Sequence, residues 1–483
     1  MSKIYNSNNP YELEQFCNLV SECILQKKLS LFIGAGSSMQ YGAMDWTTLI
    51  KNIYECNLDF DNTSKAQFAE LNGIDIKNKV AKITSDLKID CNKINTFLYH
   101  LLNFDYESIW TTNYDKVIEY VLNNKGKSFL PVYQYTHFKN LSFPNSNFLY
   151  KINGSCTKPD SIVITHEDFI NYRRSHEAYL ILLKRELVCN SFLFLGCSFD
   201  DDILRICIKD ILNCIDNSNE NYSTEHYAVI TEKNKDKMEF ITKDLRRNYN
   251  INCLQVNNLK NSYMIAYGIT CKVKFNSIFI SGAKMFERYS KEENYGKQVC
   301  RDLVDAFMKV ENSPFKFISG MGMSIGHFVC GTIKKNINKK NLNRYLQMEP
   351  FPFTTKEAND LHRVRLTNMA GVFIFIYGDI YENQRNIIEN GMWIEYLEAK
   401  KNNENIIVPI PCGENTVSSK IYEKEKKEKN TFSYEYRDFI EKFDYTANNK
   451  LFFEELVTKV NIVIRKKLDN IFENIVNSLK DDI

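Results

Sequence analysis

Leu29-Ser30-Leu31-Phe32-Ile33 runs without interruption into Gly34-Ala35-Gly36-Ser37-Ser38. A short continuous apolar run that ends in glycines reads as a strand buried on both faces and entering a tight turn. Glycines there let the backbone approach a pyrophosphate, and a helix that follows offers free N–H groups to negative charge. By itself the turn fits a strand-to-helix connection without a ligand equally well. The same punctuation returns at Ser277-Ile278-Phe279-Ile280, which ends in Ser281-Gly282.

Between these points lie further strand candidates: Phe148 to Ile152, Phe192 to Leu195, Tyr227 to Ile230 and Asn252 to Val256. The second half adds Phe315 to Ile318, Gly371 to Ile376 and Ile406 to Ile410. Helix-length spacers separate them, so the chain is expected to be α/β, with two Rossmann-like parallel-sheet domains and ligands at the carboxyl ends of the strands. The polar stretch after Val256 sets the expected boundary, giving a first domain over 1–256, a linker over 257–274 and a second domain over 275–483. Apolar residues at helical spacing from Leu451 to Leu479 predict one or two closing helices.

The 483 residues suit two or three domains. With 62 Lys and Arg against 60 Asp and Glu, the net charge is +2, which does not suggest a nucleic-acid partner. The opening MSKIYNSNNP has no signal-peptide character, and no apolar run approaches the roughly 18 residues that span a bilayer. A cytoplasmic protein without a membrane partner is therefore expected. The 14 cysteines are scattered, several in apolar stretches, as at Cys189, Cys197 and Cys330. They read as reduced core thiols, and without a C-x-x-C pair no metal is expected.

Three further motifs follow strands in the first half: Trp110-Thr111-Thr112-Asn113-Tyr114-Asp115, Lys151-Ile152-Asn153-Gly154-Ser155 and Phe194-Leu195-Gly196-Cys197-Ser198-Phe199. Their order after the glycine turn resembles the sirtuin fold family, in particular its prokaryotic NAD-consuming branch. The resemblance implies NAD+ as substrate. Gly34, Ala35, Gly36, Ser37, Gly196 and Ser198 would lie along the dinucleotide, with Asn113 against the nicotinamide ribose and Asp115 supporting the same site. A deacylase fits less well, because the chain lacks a four-cysteine zinc module and has no arginine in the Met39 to Trp46 stretch after the glycine turn.

The chain departs from the family at Asn153, where the K-x-H-G motif carries its general-base histidine. A neutral carboxamide accepts no proton at any useful pH, although it keeps hydrogen-bonding capacity and a size compatible with NAD binding. Asn153 therefore marks an impaired or altered enzyme, or a deliberate replacement of histidine. His137 and His166 flank the region without obviously substituting. A non-catalytic nucleotide-binding regulator is the alternative reading.

In the second half, Phe317-Ile318-Ser319-Gly320-Met321-Gly322 repeats the strand-and-glycine pattern, Leu361 to Arg365 precedes a strand, and Gly391-Met392-Trp393-Ile394-Glu395 opens a helix. Arg363 suits two-pronged contact with phosphate, and Glu395 suits ribose hydroxyls. The order resembles the SLOG superfamily of nucleotide-ligand domains. Of the hydrolase signature P-G-G-x-G-T-x-x-E only Gly391 and Glu395 remain, which implies sensing, with Ser281, Gly282, Gly320, Gly322, Arg363 and Glu395 as activator-binding residues. A sirtuin-like half before a SLOG half resembles the effectors of the Thoeris anti-phage defence system, down to the turn Glu349-Pro350-Phe351-Pro352. That resemblance implies a TIR-domain partner that makes a cyclic ADP-ribose isomer, binding of this signal by the second domain, NAD destruction by the first, and a homotetramer.

Overall fold

The computed structural model describes residues 3–56, 59–90, 92–127, 129–134, 136–138, 147–197, 199, 205, 207–210, 224–257, 261–311, 313–337, 341–351, 355–379, 387, 390–413, 415–427 and 439–480. The chain forms two compact units, one of Met1–Ile269 with Phe472–Ile483 and one of Thr270–Ile471. The expected linker 257–274 holds most of the helix Tyr263–Phe275, and the closing segment is one helix, Lys450–Lys480.

The first unit contains β1 (Ile4–Asn6), β2 (Leu29–Ile33), β3 (Ile109–Thr111), β4 (Leu130–Val132), β5 (Phe148–Lys151), β6 (Ser191–Leu195), β7 (His226–Thr231) and β8 (Ile251–Val256). They form one sheet in the order β1-β8-β7-β6-β2-β3-β5-β4, and every pair is parallel. All five residues of β2 are buried, as expected for a strand covered on both faces. From β2 the chain moves to one side through β3 and β5, then returns to the other side at β6. The crevice between β2 and β6 is thus a topological switch point, where open α/β sheets bind ligands.

Between the short helix Ala35–Met39 that follows β2 and the strand β3, the described residues form four more helices, Trp46–Ile53, Asn62–Leu71, Ile76–Ser85 and Phe97–Leu101. Each starts at a side chain that accepts a backbone N–H of the first turn: Asp45, Asp61, Asp75 and Thr96. The first three pack Leu49, Ile50, Ala66 and Val80 against Cys156, Ile162 and Ile164, directly beyond the turn after β5.

The second unit contains β9 (Ser277–Ser281), β10 (Lys316–Ser319), β11 (Leu346–Met348), β12 (Val372–Ile376) and β13 (Ile406–Ile410), again all parallel, in the order β11-β10-β9-β12-β13. Here the switch point lies between β9 and β12. Phe279, Phe373, Phe375, Tyr396 and Ile407 form the core beneath it.

The two α/β units with parallel sheets match the fold expected from the strand pattern. The cysteines need one correction. Cys330 is buried, but Cys189 is exposed and Cys197 half-buried. Cys189 ends the helix Glu177–Cys189, whose inward face is carried by Tyr179, Leu183 and Leu187. Among the described residues no helix is long and apolar enough to cross a membrane, and no group of three or more His, Cys, Asp or Glu side chains is placed to hold a metal ion.

Candidate functional site

At the first switch point the turn after β2 meets the turn after β6 backbone to backbone. Gly34 N–H donates to Leu195 O at 2.8 Å and Gly36 N–H to Gly196 O at 3.0 Å. A Cβ on Gly34 would stand 2.4 Å from Gly196 O. Gly196 itself has φ +64°, and a Cβ there would meet Ser37 N at 2.5 Å. These glycines are therefore required by the packing of two neighbouring turns. Ser37 is buried with its hydroxyl toward Leu195 O, whereas Ala35 opens the short helix Ala35–Met39 and is exposed. Ser198 lies outside the described residues.

The loop after β3 is tied to the same turn. Thr111 Oγ1 donates to Ile33 O at 2.7 Å and accepts the Asn113 N–H at 3.0 Å. The Asn113 amide then donates to Gly34 O at 3.1 Å and to Ser38 Oγ at 2.9 Å, in a site where Asn113 is 6% exposed. Asp115 is also buried, and its Oδ1 accepts the Val117 N–H at the start of the helix Val117–Asn124. Asp115 thereby fixes the loop's exit.

One strand further, Asn153 follows β5 and is 6% exposed. Its backbone is anchored by Val163 N–H, which donates to Asn153 O at 3.0 Å, and by Ile152 N–H, which donates to Thr111 O at 3.0 Å. Gly154 has φ +90°, and a Cβ there would stand 2.1 Å from Ser161 O, so the turn accepts no side chain at that position. Among the described residues the buried side-chain Oδ1 of Asn153 has no hydrogen-bond partner. A buried acceptor left unpaired costs about 1–3 kcal/mol, which makes it a place to look for a ligand donor.

Sequence reasoning missed His176. Its ring stacks on Tyr172 at 4.3 Å, and the Tyr172 hydroxyl donates to Ile152 O at 2.8 Å, next to Asn153. Burial pushes the imidazole down to about 4, so it is neutral at physiological pH and a weak proton acceptor. No motif flags a histidine 23 positions beyond Asn153. His166 is the exposed first residue of the helix His166–Ile170, and His137 packs edge-on to Tyr133.

The second unit links all six expected activator residues. Ser281, at the end of β9, donates from Oγ to Glu395 Oε2 at 2.5 Å, and Arg363 Nε lies 3.6 Å from Glu395 Oε1. Arg363 also pairs with Asp360 at 2.9 Å and covers the Phe351 ring, with its guanidinium carbon 4.9 Å from the centroid. Phe351 rests against Gly320, where a Cβ would stand 2.6 Å from the ring. Gly322 and Gly282 meet so closely that a Cβ on Gly322 would lie 2.2 Å from Gly282 O. A Cβ on Gly391 would stand 2.5 Å from Arg363 NH2, so that glycine leaves the room the guanidinium fills. Burial pushes the Glu395 carboxyl up to about 7, opposed by the Ser281 hydrogen bond and the Arg363 charge.

Comparison with known proteins agrees with this division. Residues 107–254 match the model of the SIR2-like domain, and residues 264–467 match the Sir2- and TIR-associating SLOG family. A protein of Enterococcus faecium named NAD(+) hydrolase ThsA is 27% identical over 487 residues, covering 96% of this chain and 98% of its own length. Proteins of the same name from Bacillus cereus (strain MSX-D12) and Acinetobacter baumannii (strain 532279) are 25% and 26% identical, covering 82% and 73% of this chain and 86% and 77% of theirs. With one parallel sheet per matched domain and relatives that span most of the chain, the chain is similar over most of its length to the proteins named NAD(+) hydrolase ThsA, with a SIR2-like match followed by a SLOG match.

Proposed function

We propose that the chain is an anti-phage defence protein whose first unit binds NAD+ for hydrolysis to nicotinamide and ADP-ribose, and whose second unit binds a cyclic ADP-ribose isomer as activator. The observation that carries this reading is the site at the first switch point. Asn113 is hydrogen-bonded onto the Gly34 turn, and one strand away the buried Oδ1 of Asn153 has no partner among the described residues. Relatives named NAD(+) hydrolase support it.

In the reaction the C1′–N bond breaks, nicotinamide leaves with the bonding pair, and water adds to C1′ and releases a proton. Asn113 orients the ribose, and Asn153 Oδ1 accepts a hydrogen bond from a ribose hydroxyl. Neither takes up the proton, and loss of a general base costs about 10² to 10⁴ in rate. This chain is accordingly a slow hydrolase, and the buried Asn153 amide equally supports a regulator that holds NAD without consuming it. In the second unit Arg363 meets a phosphate of the activator and Glu395 its ribose hydroxyls. The signal comes from a TIR-domain partner, and the chain works in the cytoplasm as a homotetramer. NAD turnover by this chain and by Asn153→His, each with and without a cyclic ADP-ribose isomer, tests the reading.

A further inference from the structure

We propose that Lys151 is a positioning residue for the first site, holding the Asn113 loop at a fixed spacing from the Asn153 turn; the proposal rests on the NAD reading above. Lys151 ends β5 and is 1% exposed. Its ammonium donates to the carbonyl of Asp115, to the carbonyl of Tyr114 at 3.4 Å, and to Glu119 Oε1 at 2.7 Å. An ammonium has three protons, and all three acceptors lie on the segment that follows Asn113. The lysine stands two residues before Asn153, so one side chain spans from the β5 turn to the loop after β3. A second strap runs in parallel, with Tyr114 OH donating to Val163 O at 2.8 Å while Val163 N–H donates to Asn153 O. Packing alone does not call for this arrangement, because a buried ion pair is often replaced by apolar residues at no loss of stability. What the pair adds is geometry: misplacing a reacting group by about 1 Å costs on the order of 10² in rate.

The test uses the full chain in the Asn153→His background with NAD+ as probe and activator present. Lys151→Met is expected to lower kcat ten- to a hundredfold with KM within threefold, at a temperature where circular dichroism shows it folded. Glu119→Gln keeps an acceptor and stays within threefold of its parent. Should Lys151→Met fail to fold, Glu119→Ala takes its place, with kcat at least fivefold below that of Glu119→Gln. An unchanged kcat in the folded variant, or a loss that tracks only the unfolded fraction, overturns the proposal. If the parent binds NAD+ without turning it over, the hydrolase reading falls, and the clamp is read from hydrogen exchange. NAD-dependent protection of residues 111–116 should then be present in the parent and absent in Lys151→Met, and its retention overturns the clamp. A parent that binds no NAD+ overturns both.

Discussion

Replacing Glu395 with glutamine should stabilise the second unit at alkaline pH. The carboxyl sits at about 7 instead of 4.5, because burial outweighs the Ser281 hydroxyl and the Arg363 guanidinium. The folded unit thus holds this proton more tightly than the unfolded chain does. A gap of about 2.5 pH units at about 1.4 kcal/mol each makes ionisation cost about 3 kcal/mol of stability. That contribution is fully present below about pH 4.5 and is lost as the pH rises through 7. Glutamine keeps an oxygen to accept from Ser281 and carries no charge, so Glu395→Gln should gain about 3 kcal/mol at pH 8 and about 1 kcal/mol or less at pH 5. Urea unfolding followed by hydrogen exchange of the β9 and β12 amides reads this unit separately from the first. Equal gains at the two pH values, or a loss at pH 8, would refute the reasoning.

Much of this architecture was legible in the sequence because parallel strands buried on both faces appear as unbroken apolar runs. Leu29–Ile33, Val372–Ile376 and Ile406–Ile410 are of this kind, and each is wholly buried. Ile4–Asn6, Leu130–Val132 and Leu346–Met348 went unseen because three residues at or beside a sheet edge carry too few apolar positions to form a pattern. Among the site residues, the glycines announced a turn. Their mutual backbone contacts depend on strand order, since β2 and β6 are neighbours only through a crossover of more than 150 residues. The same holds for Lys151, Tyr172 and Phe351, whose roles come from partners distant in sequence, and for His176, which lies outside every motif.

Two glycine substitutions probe the sites directly. Gly196→Ala places a side chain at φ +64° and within 2.5 Å of Ser37 N, so the first unit should lose about 2–4 kcal/mol in urea unfolding, and a loss under about 1 kcal/mol would contradict the packed-turn account. Gly391→Ala drives a methyl group to 2.5 Å from Arg363 NH2 and should displace the guanidinium from Phe351 and Glu395. Calorimetry with a cyclic ADP-ribose isomer should then show affinity reduced about tenfold or more, as for loss of a charged hydrogen bond, and unchanged affinity would remove Arg363 from the binding site.

The most direct measurement is NAD+ consumption by this chain and by Asn153→His at equal concentration, each with and without a cyclic ADP-ribose isomer. The account predicts rapid turnover only in the histidine chain with the isomer present, at about 10² to 10⁴ times the rate of the asparagine chain. Equal rates in the two chains, or no turnover in either despite bound isomer, would contradict it.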